Sequence, residues 1–264
     1  MGKDLSWSAR NPEASRADIA KAKAVARAIA REFAVRGASA VILSGSWARG
    51  DARRFSDVDL WVIGRRKRST FLVRRGLMVS IKETTIAQEL QDLQNPRYAG
   101  QVVYAWRDAI PLYDPRSIAA RLKDRVARFR WSTIRRRVDR WVAQQLVGWA
   151  EEAVKLTRLM AEGRHESADV QRNLLADTMA GVVAARERLI YNENNLWEMA
   201  GSRMGPEWRR AQRRALGTDR VPFQESCESS LELYRLTVRS SLRYLKGREL
   251  PVVTRTLSVV GHPL

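Results

Sequence analysis

From Ser15 to Arg36, Ile19, Ala22, Val25, Ala26, Ile29, Ala30 and Phe33 recur at three- and four-residue intervals, the spacing of one helix face. Ser15 stands where a helix cap belongs, and Gly37 follows the end. The apolar run "SAVIL" then predicts a strand, a Gly-Ser pair follows, and "DVDLWVI" predicts a second strand. Arg65 to Ser69 reads as a basic turn, and "GLMVSIKET" alternates enough to be a third strand. Thr84 or Thr85 can cap a short helix to about Leu93, which Pro96 breaks. "AIPLYDP" closes this half as a short strand and turn.

After Pro115 the period changes. Helical spacing runs through residues 116–129, 131–162, 166–192 and 222–246, with no strand-like segment among them. "AGSRMGPEWRRAQRRALGTDRVP" reads as a loop enclosing a short helix, and the tail after Gly247, rich in Pro and β-branched residues, as an extended arm. The expectation is an α+β protein: a mixed sheet with helices over residues 1–115, then an all-α helical bundle over 116–264. No internal repeat is visible.

Composition narrows this only a little. A chain of 264 residues suits one large domain or two small ones, and 45% apolar with 29% charged residues is an ordinary globular mix. No apolar run approaches the ~18–20 residues of a membrane span, and "MGKDLSWSARNPEASR" lacks the apolar stretch of a secretory leader. A single cysteine, Cys227, excludes an internal disulfide, so a cytoplasmic protein without membrane contact is expected. Two histidines, His165 and His262, far apart, give no zinc spacing. Tryptophans such as Trp131, Trp141 and Trp149 fall at helical intervals and read as packing residues. The charge does stand out: 48 Lys and Arg against 29 Asp and Glu give +19, densest at "RRKR" (65–68) and "RRR" (135–137). Either the chain meets a polyanion or it carries a solvated Arg-rich surface; net charge alone locates no patch.

The stretch "VILSGSWARGDARRFSDVDLWVIG" carries the chemistry. On a strand, residues two apart face the same side, so Asp57 and Asp59 present their carboxylates together while Val58 and Leu60 face the core. Two adjacent carboxylates repel and are costly to desolvate, and a hard divalent cation resolves the conflict. Mg²⁺ binds through one or two carboxylates, completed by substrate phosphate oxygens and water. Gly45 lets backbone come close to a phosphate, and Ser46 offers a hydroxyl and an N–H where a short helix begins. A phosphate cradle beside a metal clamp is the equipment of phosphoryl or nucleotidyl transfer.

Gly45-Ser46, Arg49-Gly50, Ser56 and Asp57-Val58-Asp59-Leu60 together resemble the signature of the nucleotidyltransferases of the DNA polymerase β superfamily. The resemblance implies a nucleotidyltransferase-type sheet, with Gly45, Ser46 and Arg49 at the nucleotide triphosphate and Asp57 and Asp59 as catalytic Mg²⁺ ligands. That family usually places a third carboxylate on the next strand. Here "MVSIKE" puts Ser80 at that position, and Glu83, three residues on, faces away from it if the strand is regular.

The helical half resembles the C-terminal domain of the kanamycin and other aminoglycoside nucleotidyltransferases. "WAEEAVKLTRLM" puts Glu151 four residues before Lys155 on one helix face, which in any solvated helix is also an ordinary ion-pair spacing. The resemblance implies Glu151 as the base on the acceptor hydroxyl, Lys155 on a nucleotide phosphate, and a homodimer in which Glu151 serves the partner subunit's site.

The function expected is transfer of a nucleoside monophosphate from ATP or another nucleotide triphosphate to a hydroxyl, with Mg²⁺ and release of pyrophosphate. A +19 chain is not an obvious host for a polycationic aminoglycoside; an anionic or neutral acceptor, RNA or a protein side chain, suits the charge better. The competing expectation, raised by Ser80, is a catalytically impaired nucleotide-binding protein or an antitoxin-like regulator.

Overall fold

The computed structural model describes residues 11–64 and 68–261. Most of the "RRKR" run, the first ten residues and His262 lie outside the described residues. The chain divides into two compact units, Met1–Gln94 with Val102–Phe129, and Asn95–Gln101 with Arg130–Leu264.

The first unit opens with helix α1, Arg16–Val35. Ser15 caps it in a reciprocal box: Asp18 N–H donates to Ser15 Oγ, and Ser15 N–H donates to the Asp18 carboxylate at 3.0 Å. The Ser15 hydroxyl, which donates to the same carboxylate at 2.7 Å, and then the Ser15 N–H hold the Asp18 carboxyl below its usual range. Then come β1 (Ala40–Ser44), the one-turn helix α2 (Gly45–Arg49), β2 (Val58–Ile63), β3 (Arg68–Arg74) and β4 (Leu77–Thr84). Helices α3 (Ile86–Leu93) and α4 (Ala99–Arg107), strand β5 (Ile110–Tyr113) and helix α5 (Ile118–Ala127) follow. Thr85 caps α3 through its hydroxyl, which accepts from Gln88 N–H at 3.1 Å.

The strands form one mixed sheet in the order β3-β4-β2-β1-β5, in which only β2 and β4 run parallel. The sheet is covered on both faces. Val41, Leu43, Val58, Leu60, Val62, Val79 and Ile81 pack against Ala22, Val25, Ala26 and Ile29 of α1. Ala40, Ile42 and Ile63 pack on the other side against Val102 and Trp106 of α4 and Leu122 and Val126 of α5. Strand alternation therefore buries Val58 and Leu60 with α1, while Asp59 and Trp61 face the opposite way.

One strand escaped the sequence pattern. Arg68 and Ser69, expected in a basic turn, begin β3. It is an edge strand, paired with β4 alone, and Phe71 and Val73 on it are exposed, so no apolar burial announces it.

The second unit is helical: α6 (Arg135–Gly148), α7 (Ala150–Ala161), α8 (His165–Arg186), α9 (Leu196–Met204), α10 (Pro206–Ala215), α11 (Phe223–Ser241) and α12 (Glu249–Val259). Its core is built on α8 and α11, where Leu175, Met179, Val183, Leu233 and Val238 are fully buried. Buried polar tips find partners: Tyr234 Oη donates to Leu146 O at 2.7 Å, and Trp208 Nε1 to Thr237 Oγ1 at 3.1 Å. Cys227 is fully buried, and burial pushes its thiol up to about 11.

Three expectations are corrected here. The single helix over 131–162 is a short 3₁₀ turn and two helices, broken at Gly148-Trp149, where glycine lowers helix propensity. The stretch from Ala200 to Pro222, expected as a loop enclosing a short helix, holds the end of α9 as well as the ten-residue α10, which Pro206 starts at its first position. The tail after Gly247 is not extended but forms α12: Pro251 sits in the first turn, where no N–H is needed, and Val253 and Leu257 are buried.

Candidate functional site

The sheet register builds the site. Ser44, the last residue of β1, pairs with Asp59 of β2, and Asp59 pairs on its other side with Ser80 of β4. Ser80 in turn pairs with Phe71 of β3, so one row across the sheet reads Ser44, Asp59, Ser80, Phe71. The chain leaves β1 at Ser44 and turns directly into α2, which brings Gly45 against the Asp59 side chain. A Cβ at Gly45 would lie 2.0 Å from Asp59 Oδ2, closer than any side chain can come. Gly45 also has φ +67°, a conformation that glycine adopts without cost. Both properties fix glycine here.

Asp57 directly precedes β2 and, like Asp59, is half-buried. The loop before it is pinned. Trp47 Nε1 donates to Ser56 O at 3.2 Å, and Ser56 Oγ accepts from Arg53 N–H at 2.9 Å. The segment before α1 ties down the same loop: Arg54 N–H donates to Pro12 O at 2.9 Å and Phe55 N–H to Asn11 Oδ1 at 3.1 Å. Ser46 lies one residue inside α2. Arg49, in its last turn, reaches Asp51 at 3.1 Å, and its guanidinium carbon lies 5.5 Å from the centre of the Tyr104 ring. Thus Gly45 and Asp59 meet in the first unit, where Ser46, Arg49 and Asp57 also lie. Glu151 and Lys155 lie in the second unit, both exposed in the first half of α7. Lys155 Nζ approaches Glu152 at 3.3 Å, not Glu151.

Sequence reasoning missed a cluster on the Asp59 face of the sheet. Lys82, paired with Trp61 in register, places its ammonium 5.2 Å from the Trp61 ring centre and 2.8 Å from Glu89 Oε1. Glu89 is 1% exposed, and its second oxygen accepts from Trp106 Nε1 at 2.9 Å. A buried carboxylate needs such partners. Nothing in the sequence separates Glu89 from an ordinary surface glutamate on a short helix; only the inward turn of α3 does.

Which metal could this donor set take? Among the described residues no three His, Cys, Asp or Glu side chains cluster as a ligand group. Two carboxylates remain, with glycine backbone kept clear beside one of them. That set fits a hard divalent cation whose coordination is completed by phosphate oxygens and water, not an all-protein metal site.

Gly-Ser leaves one strand of this two-face-covered mixed sheet and Asp-x-Asp enters its antiparallel neighbour, as the sequence resemblance implies. In agreement, residues 24–105 match the family model described as nucleotidyltransferase domain. The fold resembles that of a nucleotidyltransferase-like protein from Exiguobacterium sibiricum 255-15, with a TM-score of 0.54 over 89% of this chain and 80% of that one. Sequence identity is 16%, so the likeness speaks to fold. No curated protein matches the chain.

Proposed function

We propose that this protein transfers a nucleoside monophosphate from a nucleotide triphosphate, ATP in the simplest case, to a hydroxyl acceptor. The observation that carries the reading is Gly45 against Asp59: a glycine required by contact, set beside a carboxylate, next to Ser46 and two residues from Asp57. Asp57 and Asp59 hold Mg²⁺, which when bound neutralises phosphate charge and orients the triphosphate. Ser46 and the α2 backbone donate to phosphate oxygens, and Arg49 adds positive charge nearby. The acceptor oxygen attacks the α-phosphorus. A new P–O bond forms, the bond between the α-phosphorus and its bridging oxygen breaks, and pyrophosphate leaves with that electron pair. Glu151, of the same subunit or of a second copy in a homodimer, accepts the hydroxyl proton, and Lys155 offsets phosphate charge. The +19 chain suits an anionic or neutral acceptor such as RNA.

Replacing Asp57 or Asp59 by Asn keeps shape and removes charge. Each change should abolish most Mg²⁺-dependent ATP affinity, measured by calorimetry, and Mg²⁺-dependent pyrophosphate release across an acceptor panel. Unchanged ATP–Mg²⁺ affinity in both variants refutes the metal site.

A second reading rests on Ser80, which sits directly beside Asp59 where a third carboxylate would serve. In it, the protein binds nucleotide as a sensor or regulator without turnover. Mg²⁺-dependent ATP binding with no pyrophosphate release from any acceptor distinguishes it.

A further inference from the structure

A cavity of 410 Å³ opens within the helical unit, inside the ~300–1,000 Å³ range of small-ligand sites. Its wall is aromatic: Trp141, Trp149, Trp197, Tyr98 and Tyr191 all line it. The three tryptophans are half-buried, unlike the packing tryptophans Trp106 and Trp208, each 1% exposed. Their uncovered ring surface is available to a ligand.

Two carboxylates, Asp177 and Glu193, share the lining with one guanidinium, Arg97. The Arg97 guanidinium carbon already lies 5.4 Å from the centre of the Tyr98 ring. An acidic balance here runs against the +19 of the chain.

The space is also kept open. Gly181 lies inside α8, where glycine costs stability relative to alanine. No packing contact requires it, since a Cβ there would meet nothing within 4 Å. The rim is firm: a Cβ on Gly100 would lie 2.3 Å from Leu189 O, and Tyr191 Oη donates to Arg97 O at 3.3 Å.

Aromatic faces with flanking carboxylates are the chemistry that recognises organic cations. We propose that this cavity binds a small organic ammonium ion. The cation lies against the tryptophan faces, and Asp177 and Glu193 offset its charge. This site stands apart from the nucleotide reading and survives its failure.

The test uses the full chain and choline as probe, by calorimetry, against the neutral isostere in which carbon replaces the quaternary nitrogen. Choline should bind, and the isostere about tenfold more weakly, because the cation–π term is lost. Asp177→Asn should weaken choline about fivefold and leave the isostere unchanged, because only the charge is removed. Gly181→Leu should abolish choline binding while the melting temperature holds. No binding of choline, equal affinity for the isostere, or full choline affinity in both variants overturns the proposal.

Discussion

Replacing Gly45 by Ala asks the site a question that Gly50 can control. Both glycines have positive φ, +67° and +86°, at the two ends of α2. An alanine in that conformation costs roughly 1–2 kcal/mol. At Gly50 this is the whole cost, since an added Cβ meets nothing within 4 Å. At Gly45 the Cβ would lie 2.0 Å from Asp59 Oδ2, so the carboxylate must swing away. Forcing a side chain off its rotamer adds about 0.5–1.5 kcal/mol. At roughly 2–4 °C per kcal/mol for a chain of this size, Gly50→Ala should melt about 2–8 °C lower than wild type and Gly45→Ala about 3–14 °C lower, always more than Gly50→Ala.

The functional difference is sharper than the thermal one. Ligand bound to the native state raises the melting temperature. Mg²⁺–ATP should therefore stabilise wild type and Gly50→Ala, and fail to stabilise Gly45→Ala, whose Asp59 no longer stands where the cation needs it. Thermal denaturation with and without Mg²⁺–ATP, backed by calorimetry, reads both quantities. Equal thermal losses in the two variants, together with undiminished Mg²⁺–ATP affinity in Gly45→Ala, would refute the reasoning from this contact.

Three other changes probe the neighbouring groups. Ser46→Ala should weaken triphosphate binding by about 1 kcal/mol or somewhat more, the scale of a hydrogen bond to a charged group; unchanged affinity by calorimetry means that Ser46 only shapes the turn. Ser80→Asp sets a like charge beside Asp59 and should cost about 0.2–1 kcal/mol without metal, a loss that Mg²⁺ reverses in a thermal melt; no extra response to Mg²⁺ relative to wild type argues against Asp59 as a ligand. Glu151→Gln should slow turnover by about 10²–10⁴-fold, the usual worth of a general base, with nucleotide affinity intact and Glu83→Gln nearly silent; equal rates for Glu151→Gln and wild type, measured as pyrophosphate release, remove Glu151 from the reaction.

The candidate site was legible because its signals are local. Gly45, Asp57 and Asp59 stand within fifteen residues of one another in sequence, between two apolar runs that fold as β1 and β2. The cap on α1 and the break after Leu93 were equally local. What escaped the sequence depends on tertiary setting. Strand β3 is held by backbone pairing to β4 while Phe71 and Val73 stay exposed, so it lacks the periodic burial that marks β2. Helix α12 contains a proline that reads as a breaker unless its place in the first turn is known. Glu89 is hidden for a similar reason: its partners, Lys82 and Trp106, are seven and seventeen residues away, and only packing brings them to it.

The assignment of a base turns on which acid is left unengaged. Glu151 and Lys155 have the spacing of a helical ion pair, the plainest account of both residues. The structure pairs Lys155 with Glu152 instead, at 3.3 Å, and leaves Glu151 exposed without an ion pair among the described residues. Glu89 is 1% exposed and beyond the reach of an acceptor hydroxyl. Glu83, next to last in β4, pairs with Val62 on the strand face opposite to Ser80 and Asp59. Of these acids, Glu151 alone combines exposure with freedom from an ion-pair partner among the described residues. Lys155 thus pairs with Glu152 and not with Glu151, and the role of Glu151 as proton acceptor remains a proposal that pyrophosphate release by Glu151→Gln decides.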